Sequence, residues 1–287
     1  MTTLSFRASI THMDPRAKPL PGPWREPVGA WTQHLNASDL TPASIGTRRA
    51  HVCQLARAVP TGPDAITPDH LTAWLARDLA TETRRSIRTS LKTFFAWQSH
   101  RTGRPDPAAD LPRIRPAQPQ PRPAPPDALS EALDRADART ALILRLAAHA
   151  GLRRGEIAQV HSRDLSRSPY GWDLLVHGKG RRERTVPLSD VLAAEVRSAC
   201  MAGGGWALPS SSGGHLSAPY VGKLASRALP EEWTLHTLRH RYATAAYAGS
   251  RDTLAVQQLL GHASPATTQQ YVQLPDDARR AAAQWAA

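Results

Sequence analysis

Two short runs concentrate the side chains able to do chemistry. In HTLRH, His236 and Arg239 are three residues apart at a helix start, so they project from one face and can share a ligand. In GHASPATTQQY, His262 follows a helix end and Tyr271 sits on the next helix, so the two can converge on one pocket. Arg153, just after a chain reversal expected at Gly151, adds a cation, and GKGRRER presents a basic tip with Lys179, Arg181 and Arg182. Two arginines, two histidines, a basic tip and a phenol, with no carboxylate cluster, suit a five-coordinate phosphorane-like state. Guanidinium forks bind two phosphate oxygens at once and stay protonated, so a pair of them neutralises a phosphodiester without magnesium. Histidines donate hydrogen bonds or move protons near neutral pH. A phenol ionises at about pH 10 and is a poor nucleophile unless nearby cations or a base activate it.

Residue types alone leave choices open. Tyr242, three residues past Arg239 on the same helix, competes with Tyr271 as the nucleophile, and either lysine or arginine can serve at the basic tip. His236 and His240 stand four apart, a metal-ligand spacing, but no HExxH glutamate or third ligand accompanies them. A zinc site is therefore disfavoured and His240 reads as a packed helix residue. Taken singly, a histidine or arginine at a helix end is an ordinary cap or dipole partner.

These residues need elements to position them. Thr41-Pro42 and Thr67-Pro68 each offer an N-cap followed by proline at the first helical position. Residues 81–100 predict a helix with Ile87, Leu91, Phe94 and Phe95 on one side and Arg84, Arg88 and Lys92 on another; composition alone favours a solvated face for that basic stripe. Residues 103–126 are dense in proline and poor in large apolar residues, the composition of a stiff extended linker. Beyond it the pattern predicts a helix from about Asp137 to the Gly151 cap and a short helix at GEIAQV. A hairpin over residues 172–188 and helices at 218–228, 237–247 and 252–260 follow, the last ending at Gly261. Ser264-Pro265 opens another helix, and residues 276–287 form a small amphipathic helix with an alanine-rich face and Trp285.

The bulk composition agrees with an anionic partner. Among 287 residues, 36 Lys+Arg against 24 Asp+Glu leave a formal charge of +12. The most apolar run, residues 141–152, is short and carries Arg145 and His149, so no segment reads as a membrane span. The N-terminal residues lack a basic cap followed by a sustained apolar stretch, and a cytoplasmic protein is expected. Cys53 and Cys200 lie far apart without metal-type spacing and read as core thiols.

GLRRGEI, GKGRRERTVPL, HTLRHRYAT and LLGHASPATTQQYV occur in the order and approximate spacing of a known signature. The chain thereby resembles the tyrosine recombinase (phage integrase) family, in the layout of compact Xer-type or simple phage integrases. The resemblance is close over residues 127–273 and looser over the helical part before the linker. It places the family's first arginine at Arg153, its hairpin lysine at Lys179, its H-x-x-R pair at His236 and Arg239, its second histidine at His262 and its nucleophile at Tyr271. Arg154 and Gly155 stand where many relatives have an aliphatic residue and serine, and HSRD replaces a tryptophan-containing turn.

The implied fold is mainly α with a small antiparallel β-sheet. Its expected parts are an extension over residues 1–24, a helical core-DNA-binding domain over 25–103, the proline-rich linker over 104–126 and a mixed α/β catalytic domain over 127–287. The last residues would form an interaction helix docking on a neighbouring protomer. The implied activity is site-specific DNA cleavage and rejoining through a 3′-phosphotyrosine and a Holliday junction, with no cofactor, metal or ATP. Double-stranded DNA is the implied partner of a homotetramer on DNA that is monomeric in solution, with accessory proteins left open and no membrane contact. Arg84, Arg88, Lys92, Arg181 and Arg182 are the expected DNA contacts.

Overall fold

The computed structural model describes residues 19–59, 61–116, 122–178 and 182–261. The chain divides into two compact units, residues 1–118 and 119–287.

Among the described residues, the first unit holds the α-helices α1 (Gly22–Asn36), α2 (Pro42–Ala58), α3 (Pro68–Leu75) and α4 (Thr81–Thr102). Thr41 and Thr67 cap α2 and α3, each accepting from a backbone N–H of the first turn at 3.3 Å, which is the role their placement before proline predicts. Helix α1 is less legible, because Pro23 and Pro27 obscure a buried row of Trp24, Val28, Trp31 and Leu35. Pro23 falls in the first turn, where its missing N–H has no intrahelical partner, whereas Pro27 lies inside the helix and forgoes one backbone bond. That row meets α4: the Trp24 and Phe94 rings stack at 5.8 Å, and Trp31 meets Phe94 edge-on at 5.2 Å.

Part of the proline-rich stretch departs from a free extended linker. Ala108 and Leu111 are buried in the first unit's core, and Lys92 and Arg88 on α4 donate to the carbonyls of Ala109 and Leu111 at 2.7 Å each. Two buried apolar side chains and two hydrogen bonds from α4 hold this segment, although the surrounding prolines dominate its composition.

In the second unit the buried helix α6 (Ala138–His149) is surrounded by α5 (Pro126–Arg135), α7 (Arg154–Ala158), α8 (Asp190–Ala202), α9 (Ala218–Ala228) and α10 (Leu235–Ser250). Asp137 caps α6 by accepting from Thr140 N–H at 2.7 Å. Leu142, Ile143, Leu144, Leu146 and Ala147 are all buried, so α6 is apolar on most of its circumference, as a central helix must be. The sheet has three antiparallel strands, β1 (Leu165–Ser168), β2 (Gly171–His177) and β3 (Glu183–Leu188), in that order. Leu174 of β2 lies opposite Leu165 and Val186, and that face packs on the core. At the turn end of the β2–β3 hairpin, His177 is placed 3.0 Å from both Asp164 and Glu183. Those contacts, that with Asp164 foremost, raise its pKa and fasten that end of the hairpin. Helix α11 (Thr253–Leu260) ends at Gly261 in the left-handed region, φ 62°. Among the described residues no helix is long and apolar enough to cross a membrane.

Candidate active site

Helices α7, α9 and α10 enclose an open cleft of about 690 Å³. Arg153, His236 and Arg239 line it together, joined by Arg154, Lys223 and Thr234. Three of the residues singled out from sequence are therefore brought to one basic cleft. Each owes its place to a local device. Arg153 precedes the first turn of α7, and the Glu156 carboxylate of that turn accepts from the Arg153 backbone N–H at 2.8 Å. Thr234 caps α10, so that His236 and Arg239 lie in its first turns on one side.

Arg239 is 1% exposed and forms part of the cleft wall. It donates to the carbonyls of Gly151 and Leu260, which ties α10 to the end of α6 and to the end of α11. Arg153 keeps 40% of its side chain exposed while one nitrogen donates to Glu156 at 2.9 Å. Glu156 itself is buried, and it is the residue that the motif reading passed over. Its two oxygens receive the Arg184 fork at 2.9 and 2.7 Å, the Arg153 side chain at 2.9 Å and, more distantly, Arg239 at 3.8 Å. Burial alone would raise the carboxyl, but bonds and charge from Arg184, with the bonds from Arg153, outweigh it and bring the pKa to about 2. The sequence signal was available as a glutamate three residues after Arg153, a capping-box spacing.

His236 presents an exposed edge to solvent. The protein packed around it, then the charges of Arg239 and Arg153, hold its pKa below the ordinary histidine value. At neutral pH the ring is therefore uncharged, with one nitrogen able to donate and the other to accept. The His236 and His240 rings meet edge to face at 4.7 Å, and among the described residues no cluster of three metal-ligating side chains forms.

The competing phenol, Tyr242, is half-buried. Burial raises the Tyr242 pKa against the lowering effect of Arg184 and Arg239, and its ring lies beneath Gly151, where a Cβ would stand 2.4 Å from a ring carbon. Gly151 also has φ +63°. Gly151→Ala is therefore expected to combine backbone strain with a steric clash, destabilising the fold by roughly 3 kcal/mol. Urea unfolding of the two proteins measures this, and equal midpoints would contradict the close packing of Tyr242.

Lys179, Arg181, His262 and Tyr271 lie outside the described residues, as do the helix expected after Ser264-Pro265 and that at 276–287. Arg182 is exposed, its carbonyl accepting from Gly178 N–H at 2.7 Å. Arg84 donates to the carbonyls of Arg77 and Leu79 at 3.3 Å. With Arg88 and Lys92 held as described above, the stripe on α4 is engaged within its own unit.

Arg153, His236 and Arg239 thus share one basic cleft in a helical unit with a small antiparallel sheet. The phage integrase family model matches residues 126–277, and the chain belongs to that family. The tyrosine recombinase XerC of Rhodospirillum centenum is 32% identical over 282 residues, covering 85% of this chain and 80% of that protein. The XerC of Methylobacterium nodulans is 33% identical over 295 residues, covering 89% and 90%. A XerC of Methylobacterium sp. (strain 4-46) is 41% identical over 156 residues, which span 50% of this chain and 47% of that relative. Among solved structures, a lambda integrase dimer bound to a COC′ core site matches with a TM-score of 0.70 at 18% identity, covering 86% of this chain and 76% of the other. XerH bound to a palindromic difH substrate matches at 0.65 and 19% identity, covering 85% and 80%. The fold is that of the tyrosine recombinases.

Proposed function

We propose that this chain is a site-specific tyrosine recombinase that cleaves and rejoins double-stranded DNA. The observation that carries the reading is the convergence of Arg153, His236 and Arg239 on one basic cleft, in a member of the phage integrase family. Relatives over most of the chain's length are tyrosine recombinases, and structures of the same fold hold DNA.

In this reading the Tyr271 oxygen attacks a DNA phosphorus as the bond to the 5′ oxygen breaks, leaving a 3′-phosphotyrosine and a free 5′-hydroxyl. Arg153 and Arg239 neutralise the charge gathering on the non-bridging oxygens, a role suited to two guanidiniums that stay protonated. Lys179 supplies the proton to the departing 5′ oxygen, and His236 and His262 bond the phosphate and assist proton transfer. The 5′-hydroxyl of a partner duplex reverses the step. Because the phosphotyrosine conserves the bond energy, the exchange requires neither ATP nor a metal ion. Four copies act in pairs through a Holliday junction, assembling on DNA from cytoplasmic monomers. Residues 276–287 dock on the neighbouring copy, and residues 104–126 join a DNA-clamping helical domain (25–103) to the catalytic one (127–287), with residues 1–24 as an extension. Arg182, Arg181, Arg84, Arg88 and Lys92 face DNA phosphates, the last three by exchanging carbonyl partners for phosphate oxygens.

The test incubates the protein in EDTA with a library of nicked duplexes whose arms are randomised. DNA that stays with the protein on a denaturing gel is then sequenced. A covalent adduct converging on one sequence supports the reading. Absence of any adduct overturns it.

A further inference from the structure

We propose that Arg184 is a positioning residue for strand cleavage, one that occupies Glu156 so that Arg153 keeps part of its fork for the DNA phosphate. The inference rests on the reading of Arg153 and Arg239 as the phosphate clamp.

Arg184 stands on β3, where alternation turns it, Val186 and Leu188 toward the interior. Its side chain is 9% exposed, against 4% for Glu156. Three of its N–H groups are committed: two meet the Glu156 oxygens at 2.9 and 2.7 Å, and Nε donates to the Leu259 carbonyl at 2.8 Å. Gly261 makes room for this reach, since a Cβ there would stand 2.9 Å from the Arg184 Cδ. One side chain thus ties β3 to the start of α7 and to the last turn of α11. In sequence it follows Lys179 by five positions, and its carbonyl partner precedes His262 by three.

The carboxylate explains why this matters for the clamp. A glutamate with both oxygens open forms a two-bond pair with a neighbouring guanidinium, the strongest arrangement open to it. Arg184 takes up that arrangement. Arg153 then makes only a single side-chain contact to Glu156, at 2.9 Å, and remains 40% exposed at the cleft. Without Arg184, Glu156 is free to draw the Arg153 fork away from the cleft, and the link to the end of α11 is lost. Glu156 faces Arg153 at the start of its own helix, Arg184 from β3 and Arg239 from α10, with the Tyr242 phenol of α10 near Arg184. Removing Arg184 therefore also lets the carboxyl titrate at higher pH.

The experiment compares wild type, R184A and R184K as full chains on the nicked duplex that wild type captures. Adduct formation at saturating DNA is followed from pH 5 to 9, together with DNA binding and melting temperature. Lysine keeps a cation beside Glu156 but lacks the fork, so R184K remains folded where R184A fails to fold. The expected result is DNA binding within about threefold of wild type and adduct formation slowed about 30-fold or more in R184K. Because a protonated Glu156 no longer competes for Arg153, the deficit of the variant relative to wild type should also shrink toward the acid end of the range. Cleavage by R184K within twofold of wild type across the range overturns the inference alone. So does a loss that follows the melting temperature and keeps a constant ratio to wild type across the pH range. A wild-type protein that forms no adduct overturns the recombinase reading, and this inference with it.

Discussion

Arg239→Lys is expected to slow covalent cleavage of a nicked duplex by about 100-fold or more while DNA binding changes by only a few-fold. Arg239 is the most buried of the described cations lining the cleft, and its guanidinium bridges the carbonyls of Gly151 and Leu260 within reach of Glu156. An ammonium supplies the charge but cannot span both carbonyls and still offer an edge to a phosphate oxygen. Alanine is a poorer test, since it leaves those carbonyls and part of Glu156 without their partner and costs about 3 kcal/mol of stability besides. Single-turnover adduct formation at saturating DNA separates the chemical step from binding. A lysine variant at the wild-type rate would show that the Arg239 fork has no part in the transition state.

The second large effect concerns acid stability. The folded-state pKa of Glu156 lies at about 2, below the ordinary glutamate value of 4.5. Because the folded value is depressed, its contribution is fully present above the unfolded value and disappears as pH falls from about 4.5 toward 2. The full shift corresponds to roughly 3 kcal/mol. Glu156→Gln removes the titration, so the loss of unfolding free energy between pH 5 and pH 3 should be smaller in the variant by about 2 kcal/mol. At neutral pH the same variant leaves Arg184 and Arg239 facing a neutral amide and should unfold about 3 kcal/mol more easily. Urea titrations at the three pH values measure both effects. Parallel acid slopes in the two proteins would contradict the carboxylate's place at the centre of three guanidiniums.

Much of this architecture was legible from sequence where a local rule acted alone. Asp137 and Gly151 bracket α6, Thr41 and Thr67 start α2 and α3, and the turn after His177 marks the hairpin. Sequence reading failed where tertiary contacts decide. Helix α1 carries two prolines and gains its stability from Trp24 and Trp31 against Phe94, partners about 60 to 70 positions away. Strand β1, only four residues long, is held by its pairing with β2. Among Arg181, Arg182 and Arg184, composition gives no reason to single one out, although the period-2 alternation through Val186 and Leu188 pointed Arg184 inward. Glu156 was hidden for a different reason: a search for cations around a phosphate has no place for the carboxylate that orders them. The basic stripe of α4 shows the opposite failure, since its charges suggest an open surface while Arg84, Arg88 and Lys92 all hold carbonyls of their own unit.

The central claim is that Tyr271 joins the chain to DNA, and digestion of the captured adduct tests it most directly. Trypsin releases residues 252–279 with Tyr271 as their only tyrosine, whereas Tyr242 and Tyr247 leave together in YATAAYAGSR. The nucleotide mass is expected on the 252–279 peptide, with no adduct from Tyr271→Phe. Nucleotide mass on the peptide holding Tyr242, or an adduct that survives Tyr271→Phe, would contradict it.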